Sequence, residues 1–194
     1  MSSRMFVAVV PPDVVVEHLD DFLDVRREAK DLRWTVSEQF HLTLTFLADV
    51  PERTLDDLTE RLGRAATRRT AFETRLIGGG AFPNVARARV LWAGLDLDEH
   101  GRTELSRLGT GCRAAAARAG IEVDGARFKP HLTVARLRQP REVTRWVRLL
   151  DGYSGPAWTV DEITLVESFL GQGPRGRPRH EIVDTFPLSP KPVH

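Results

Sequence analysis

His41-Leu42-Thr43-Leu44-Thr45-Phe46 in the first half of the chain is answered in the second half by His131-Leu132-Thr133-Val134-Ala135-Arg136. Both stretches read His-Leu-Thr-aliphatic and both have strand-forming composition. Each is followed by a proline, Pro51 and Pro140, that suits the first turn of a helix. Side chains alternate along a strand, so His41, Thr43 and Thr45 are expected on one face, with Leu42, Leu44 and Phe46 in a core. His131 and Thr133 stand in the same relation to Leu132 and Val134. Each strand thus offers an imidazole and a hydroxyl side by side on an apolar anchor.

The surroundings of the motifs repeat too. In the first half a β-type run, Met5–Val10, ends at Pro11-Pro12, and Asp13 can cap a helix with Val15, Val16, Leu19, Phe22 and Leu23 on its apolar face. After the motif, Leu55, Leu58, Leu62, Ala65 and Ala66 recur at helical spacing, and Phe72–Ile77 reads as a strand stopped by a turn at Gly78-Gly79-Gly80. In the second half a strand over Arg89–Leu95 precedes a helix carrying Leu105, Leu108, Cys112, Ala115 and Ala119, with Gly120 as its stop. A helix with Val143, Trp146, Val147 and Leu150 follows the second motif. Strands at Trp158–Phe169 and Glu181–Phe186 close the chain, separated by the Gly/Pro/Arg-rich loop Gly171–Arg179.

Two strands repeatedly fall between helices, which favours antiparallel pairing over a doubly wound parallel sheet. The expected class is α+β: two pseudo-symmetric lobes of antiparallel sheet, helices packed outside, and a central cleft where the two His-Thr faces meet. Residues 1–194 are expected to form one such two-lobed domain.

Composition narrows the function. A net charge of +1 on 194 residues argues against a non-specific nucleic-acid coat and leaves room for a locally basic cleft. Cys112 is the only cysteine, which excludes an internal disulfide and fits a reducing compartment. No run approaches the roughly 20 apolar residues that span a bilayer, and Met5–Val10 is too short for a signal peptide core. A cytoplasmic, monomeric protein without membrane attachment is expected.

Opening a strained cyclic phosphate needs a base to activate water and an acid on the opposite side of phosphorus to protonate the leaving oxygen. Imidazole serves in either role near neutrality, and fixed threonine hydroxyls can donate to the non-bridging oxygens. One His-x-Thr means little, since such a histidine is more often a half-buried strand residue bonded to backbone. Two copies in matching contexts point to a shared site.

With Met5-Phe6-Val7-Ala8-Val9, Arg33-Trp34, Phe82-Pro83, Arg89-Val90-Leu91-Trp92, Phe128-Lys129-Pro130 ahead of His131, and Val166-Glu167-Ser168, the chain resembles the two-histidine phosphoesterase superfamily over nearly its whole length. Within that superfamily it looks like the bacterial and archaeal RNA 2',3'-cyclic phosphodiesterases, long described as 2'-5' RNA ligases. The resemblance implies His41 as general acid, His131 as general base, and Thr43 and Thr133 as phosphate partners. It also implies RNA ends carrying 2',3'-cyclic phosphate as substrate, cleavage to a 2'-phosphate, and no metal or other cofactor. A departure is the loop Gly173–His180, which lacks the aromatic often found there and carries Arg175, Arg177 and Arg179 instead.

Arg136 falls at a core-facing position by alternation; an unpaired buried guanidinium is costly, so it is expected at a strand end near the cleft, binding phosphate. Phe46 can border the cleft where its strand ends. Arg127 and Lys129 can attract an RNA backbone or be solvated. Trp34, Trp92, Trp146 and Trp158 are expected in the core, Trp34 being the one that can stack on a base. A zinc site of His41, His131 and His180 lacks the usual ligand spacing. Three alternatives stay open: a small-nucleotide cyclic phosphodiesterase, a reversible 2'-5' ligase, and a non-catalytic RNA-end binding module.

Overall fold

The computed structural model of the chain describes residues 1–29, 32–123, 125 and 128–191; Arg127 and His194 lie outside them. The chain opens with β1 (Ser2–Val9), whose Met5, Val7 and Val9 enter the main core while Phe6 and Ala8 face the other way. In α1 (Asp13–Asp24) Val15, Leu19 and Leu23 are buried. Its cap is Pro12, whose carbonyl accepts from the amides of Val15 and Val16 at 2.9 and 3.1 Å. Asp13 is therefore a first-turn residue rather than the expected cap, where its charge complements the helix dipole. β2 (Leu32–Trp34), β3 (Leu42–Pro51), α2 (Leu55–Thr67) and β4 (Phe72–Phe82) complete the first half. The second half runs β5 (Ala88–Asp96), α3 (Glu99–Arg118), β6 (Leu132–Arg141), α4 (Thr144–Asp151), β7 (Trp158–Val160), β8 (Glu162–Phe169) and β9 (Arg179–Pro187).

Pro51 caps the 3-10 turn Glu52–Thr54 that leads into α2, whereas Pro140 opens no helix. Pro51 ends β3 and Pro140 lies near the end of β6. A missing amide donor is tolerated at such positions, where the ladder runs out.

The strands form one sheet in the order β7-β4-β5-β6-β3-β1-β8-β9, with β2 on β6, and every pairing is antiparallel. At its centre β3 and β6 share a single register pair, Leu42 opposite Leu132. That narrow join divides the sheet into two lobes, β7-β4-β5-β6 and β3-β1-β8-β9. A pseudo-twofold relates β1 to β5, β3 to β6 and β8 to β4.

The lobes are not the two halves of the sequence. The short link from β4 to β5 favours a hairpin between sequence neighbours, so β4 joins the second lobe. β8 and β9 return to the first lobe beside β1.

Helices cover one face only. Leu58, Leu62 and Ala66 of α2 and Leu105, Leu108 and Cys112 of α3 share a core with Leu42, Leu44, Leu132 and Val134. The opposite face of the central strands is left for the cleft. Among the described residues, no helix is long and apolar enough to cross a membrane.

Gly78-Gly79-Gly80 is not a turn. β4 runs straight through it, with a register shift at Gly78, whose φ is +64°. A Cβ at Gly79 would lie 2.5 Å from the Leu150 Cβ, and one at Gly80 would overlap the Trp92 indole. The glycines let α4 and Trp92 lie flat against the strand.

Candidate active site

Both motifs contain a β-bulge at the same position. On β3, Thr43 pairs with Ala8 and Thr45 with Val7, leaving Leu44 as the extra residue. On β6, Thr133 pairs with Trp92 and Ala135 with Leu91, leaving Val134 as the extra residue. A bulge resets alternation downstream. Leu44 and Thr45 are consequently both buried, and so are Val134 and Ala135. The next side chains, Phe46 and Arg136, turn into the cleft. Thr45 is thus a core residue and Phe46 a cleft residue, the reverse of strict alternation. Arg136 reaches the cleft from mid-strand, not from a strand end.

His41 and His131 each immediately precede the Leu42–Leu132 pair. Continuing that antiparallel register sets His41 across from Thr133 and His131 across from Thr43. Both side chains enter the one cleft, near enough for the charge of one to bear on the other.

The imidazoles are held alike. Nδ1–H of His41 donates to the Gln39 carbonyl and Nδ1–H of His131 to the Lys129 carbonyl, each at 2.7 Å. This fixes the neutral tautomer with a lone pair on Nε2. Nε2 of His41 accepts from the Thr43 hydroxyl at 3.1 Å. The His41 ring stacks on Phe6, with centroids 4.6 Å apart and planes at 26°. His131 meets Phe82 edge-on at 4.8 Å.

The cleft has a volume of about 470 Å³ and draws its walls from both lobes. Arg4, Arg33, Arg136 and Arg177 line it, and among the described residues no carboxylate or thiol does. Its character is that of an anion site. The same features discourage protonated imidazole. Burial, with His180, Arg136 and His131 nearby, pushes His41 down to about 4. Burial also lowers His131, helped by Arg136 and Lys129, and burial lowers His180. In the free protein the environment of each ring thus favours the neutral imidazole.

His41, Thr43, His131, Thr133 and Arg136 all line this one cleft. Trp34 is buried yet contributes to the wall. Trp92 leaves the core for a place beside His131, 6.3 Å between ring centroids, because Gly80 has no side chain beneath it. Lys129 Nζ sits 5.2 Å over both Phe82 and Trp92. Of the three loop arginines only Arg177 lines the cleft; Arg179 pairs with Glu181 and lies over Phe169.

Sequence reading missed Arg4, Arg33 and Phe6 as cleft residues and set His180 beside His41 and His131 only as a zinc candidate that it put aside. His180 faces His41 edge-on at 5.8 Å and Phe6 at 5.0 Å. Arg4, beside the Met5–Val9 run, lies 4.3 Å over the Phe46 ring and carried no signal of its own.

Twin imidazoles converging on an anion site across a duplicated antiparallel sheet place the chain among the two-histidine phosphoesterases. A profile of the 2'-5' RNA ligase superfamily matches residues 11–169, and the chain belongs to that family. It is 33% identical over 168 residues to an RNA 2',3'-cyclic phosphodiesterase of Archaeoglobus fulgidus, covering 86% of this chain and 92% of that one. With the RNA 2',3'-cyclic phosphodiesterase of Thermus thermophilus it shares 31% identity over 191 residues, covering 95% and 90%. The structure of E. coli LigT superposes with a TM-score of 0.76 at 25% identity, covering 97% of this chain and 98% of LigT.

Proposed function

We propose that this RNA 2',3'-cyclic phosphodiesterase opens its substrate by metal-independent acid–base catalysis between His41 and His131. The supporting observation is the symmetric pinning of both Nδ1 atoms on backbone carbonyls, which presents two Nε2 atoms to one arginine-rimmed cleft. Nε2 of His131 takes a proton from water as the water oxygen bonds to phosphorus. The bond from phosphorus to the ribose 3' oxygen breaks in line, and Nε2–H of His41 gives that oxygen its proton. The product carries a 2'-phosphate and a free 3'-hydroxyl. Thr43, Thr133 and Arg136 hold the non-bridging oxygens as charge builds on them.

His41 is neutral in the free protein, so it takes up a proton from solvent when the anionic phosphate binds, because that charge favours imidazolium. Among the described residues the wall supplies no carboxylate or thiol to hold a catalytic ion, and turnover should persist under exhaustive chelation. The substrate is an RNA end bearing the cyclic phosphate. The protein acts as a cytoplasmic monomer, a two-lobed domain whose cleft is built by one chain.

Sulfur substitution tests the two roles. Sulfur at the 3' position leaves as a stable thiolate and needs little protonation. His41→Ala and His131→Ala should each lose about 10²–10⁴-fold on the oxygen substrate. The 3'-thio substrate should restore His41→Ala and not His131→Ala. Rescue of His131→Ala alone would reverse the roles, and rescue of neither would remove His41 from proton donation.

A further inference from the structure

Far from the cleft, the outer surface carries a second concentration of positive charge. On α2, Arg61, Arg64, Ala65 and Arg68 follow one another at helical spacing and share a face. On α3, Arg107, Gly111, Ala114 and Arg118 do the same. The two helices pack against each other, and a Cβ at Gly111 would lie only 3.6 Å from the Ala65 Cβ. Small residues thus form the floor of a groove of about 550 Å³, and arginines form its walls.

Among the described residues no carboxylate lines the groove. Arg61, Arg64 and Arg69 are each tied to an acid at its margin, Asp57, Glu60 and Glu104 respectively. Among the described residues, Arg68, Arg107 and Arg118 have no acidic partner, and all three are exposed. A chain of net charge +1 has therefore left three uncompensated guanidiniums converging on one concave strip. None of these residues lines the catalytic cleft, which opens on the sheet face that α2 and α3 do not cover.

We propose that the α2–α3 groove is a second RNA site, which binds backbone phosphates of the same strand whose 3' end occupies the cleft. Guanidinium forks match phosphate oxygens bidentately. The small-residue floor lets a strand lie close to both helices, and the site reads charge rather than sequence. It gives the enzyme affinity for long RNA that a dinucleotide cannot use. The proposal goes beyond the cyclic-phosphate chemistry and rests on it only for the identity of the strand.

The test is the triple variant Arg68→Gln/Arg107→Gln/Arg118→Gln, checked for unchanged thermal melting. It is assayed on a dinucleotide 2',3'-cyclic phosphate and on a long single-stranded RNA with the same end. Dinucleotide turnover should be unchanged. KM for the long RNA should rise about tenfold or more. Its log–log salt slope should become shallower by about 2, since each phosphate that is no longer neutralised takes away about 0.7. An unchanged KM and slope on long RNA would overturn the proposal and leave the groove to an acidic protein surface.

Binding of the long RNA ending in a plain 3'-hydroxyl gives a separate reading. A wild-type protein that turns over neither substrate would defeat the catalytic proposal, while the difference in this affinity between wild type and variant would still decide the groove. Equal affinity there overturns the groove; a weaker variant supports it.

Discussion

Replacing His41 with asparagine should make the protein more tolerant of acid. The asparagine amide nitrogen falls near the place of Nδ1 and can keep the bond to the Gln39 carbonyl, but it does not titrate. Burial, with His180, Arg136 and His131 close by, holds the His41 imidazole at about 4 in the folded protein, against about 6.5 in an unfolded chain. Between those values the unfolded state binds a proton that the folded state refuses. Stability therefore rises with pH through that window; it is fully present above 6.5 and is lost as pH falls toward 4. For one group shifted this far, the loss between pH 7.5 and pH 4.5 is about 2.5 kcal/mol. His131 and His180 are lowered too and add to the loss in both proteins, so the difference between wild type and His41→Asn isolates His41. Urea unfolding at the two pH values and constant ionic strength measures it. The variant should lose about 2.5 kcal/mol less than the wild type. Equal losses would mean that His41 is not held neutral by the fold, and the argument that it takes up its proton only when substrate binds would fall with it.

Arg136→Met should lower kcat/KM on a dinucleotide cyclic phosphate by about 10²–10³-fold, the cost of removing a preorganised donor to developing charge. Its melting temperature should hold, because the guanidinium is exposed; a loss under about threefold would take Arg136 off the phosphate. Gly80→Ala should cost about 1–3 kcal/mol in urea unfolding, since the added methyl overlaps the Trp92 indole. It should also slow turnover by shifting Trp92 against His131, and wild-type stability together with wild-type rate would refute that packing argument.

The candidate site was legible because its residues obey a local rule twice. Period-two alternation put His41 with Thr43 and His131 with Thr133, and the repeat of the motif supplied the cleft. The same rule failed at Thr45, Phe46 and Arg136 because a bulge is set by register with a neighbouring strand, and nothing in Leu44 or Val134 marks them as extra residues. Arg4, Arg33 and His180 reach the cleft through the pairings of β1, β2 and β9, neighbours that no short window of sequence contains. Gly78-Gly79-Gly80 misled for a related reason. Glycine usually marks a turn, but here its smallness accommodates Leu150 and Trp92 from elsewhere in the chain. The arginine stripes of α2 and α3 stand in plain view at helical spacing, but apolar periodicity, which locates a helix, does not register them.

The exchange of outer strands bears on ancestry. β4 leaves the first half of the chain to pair with β5, and β8 leaves the second half to pair with β1. A half-length ancestor with this connectivity could not have closed its own lobe, because its last strand would find its partner only in another copy. Such a half would need strand exchange with a second copy to complete its sheet. In the intact chain the covalent link between the halves supplies each outer strand with its partner, so neither lobe needs a second molecule to close.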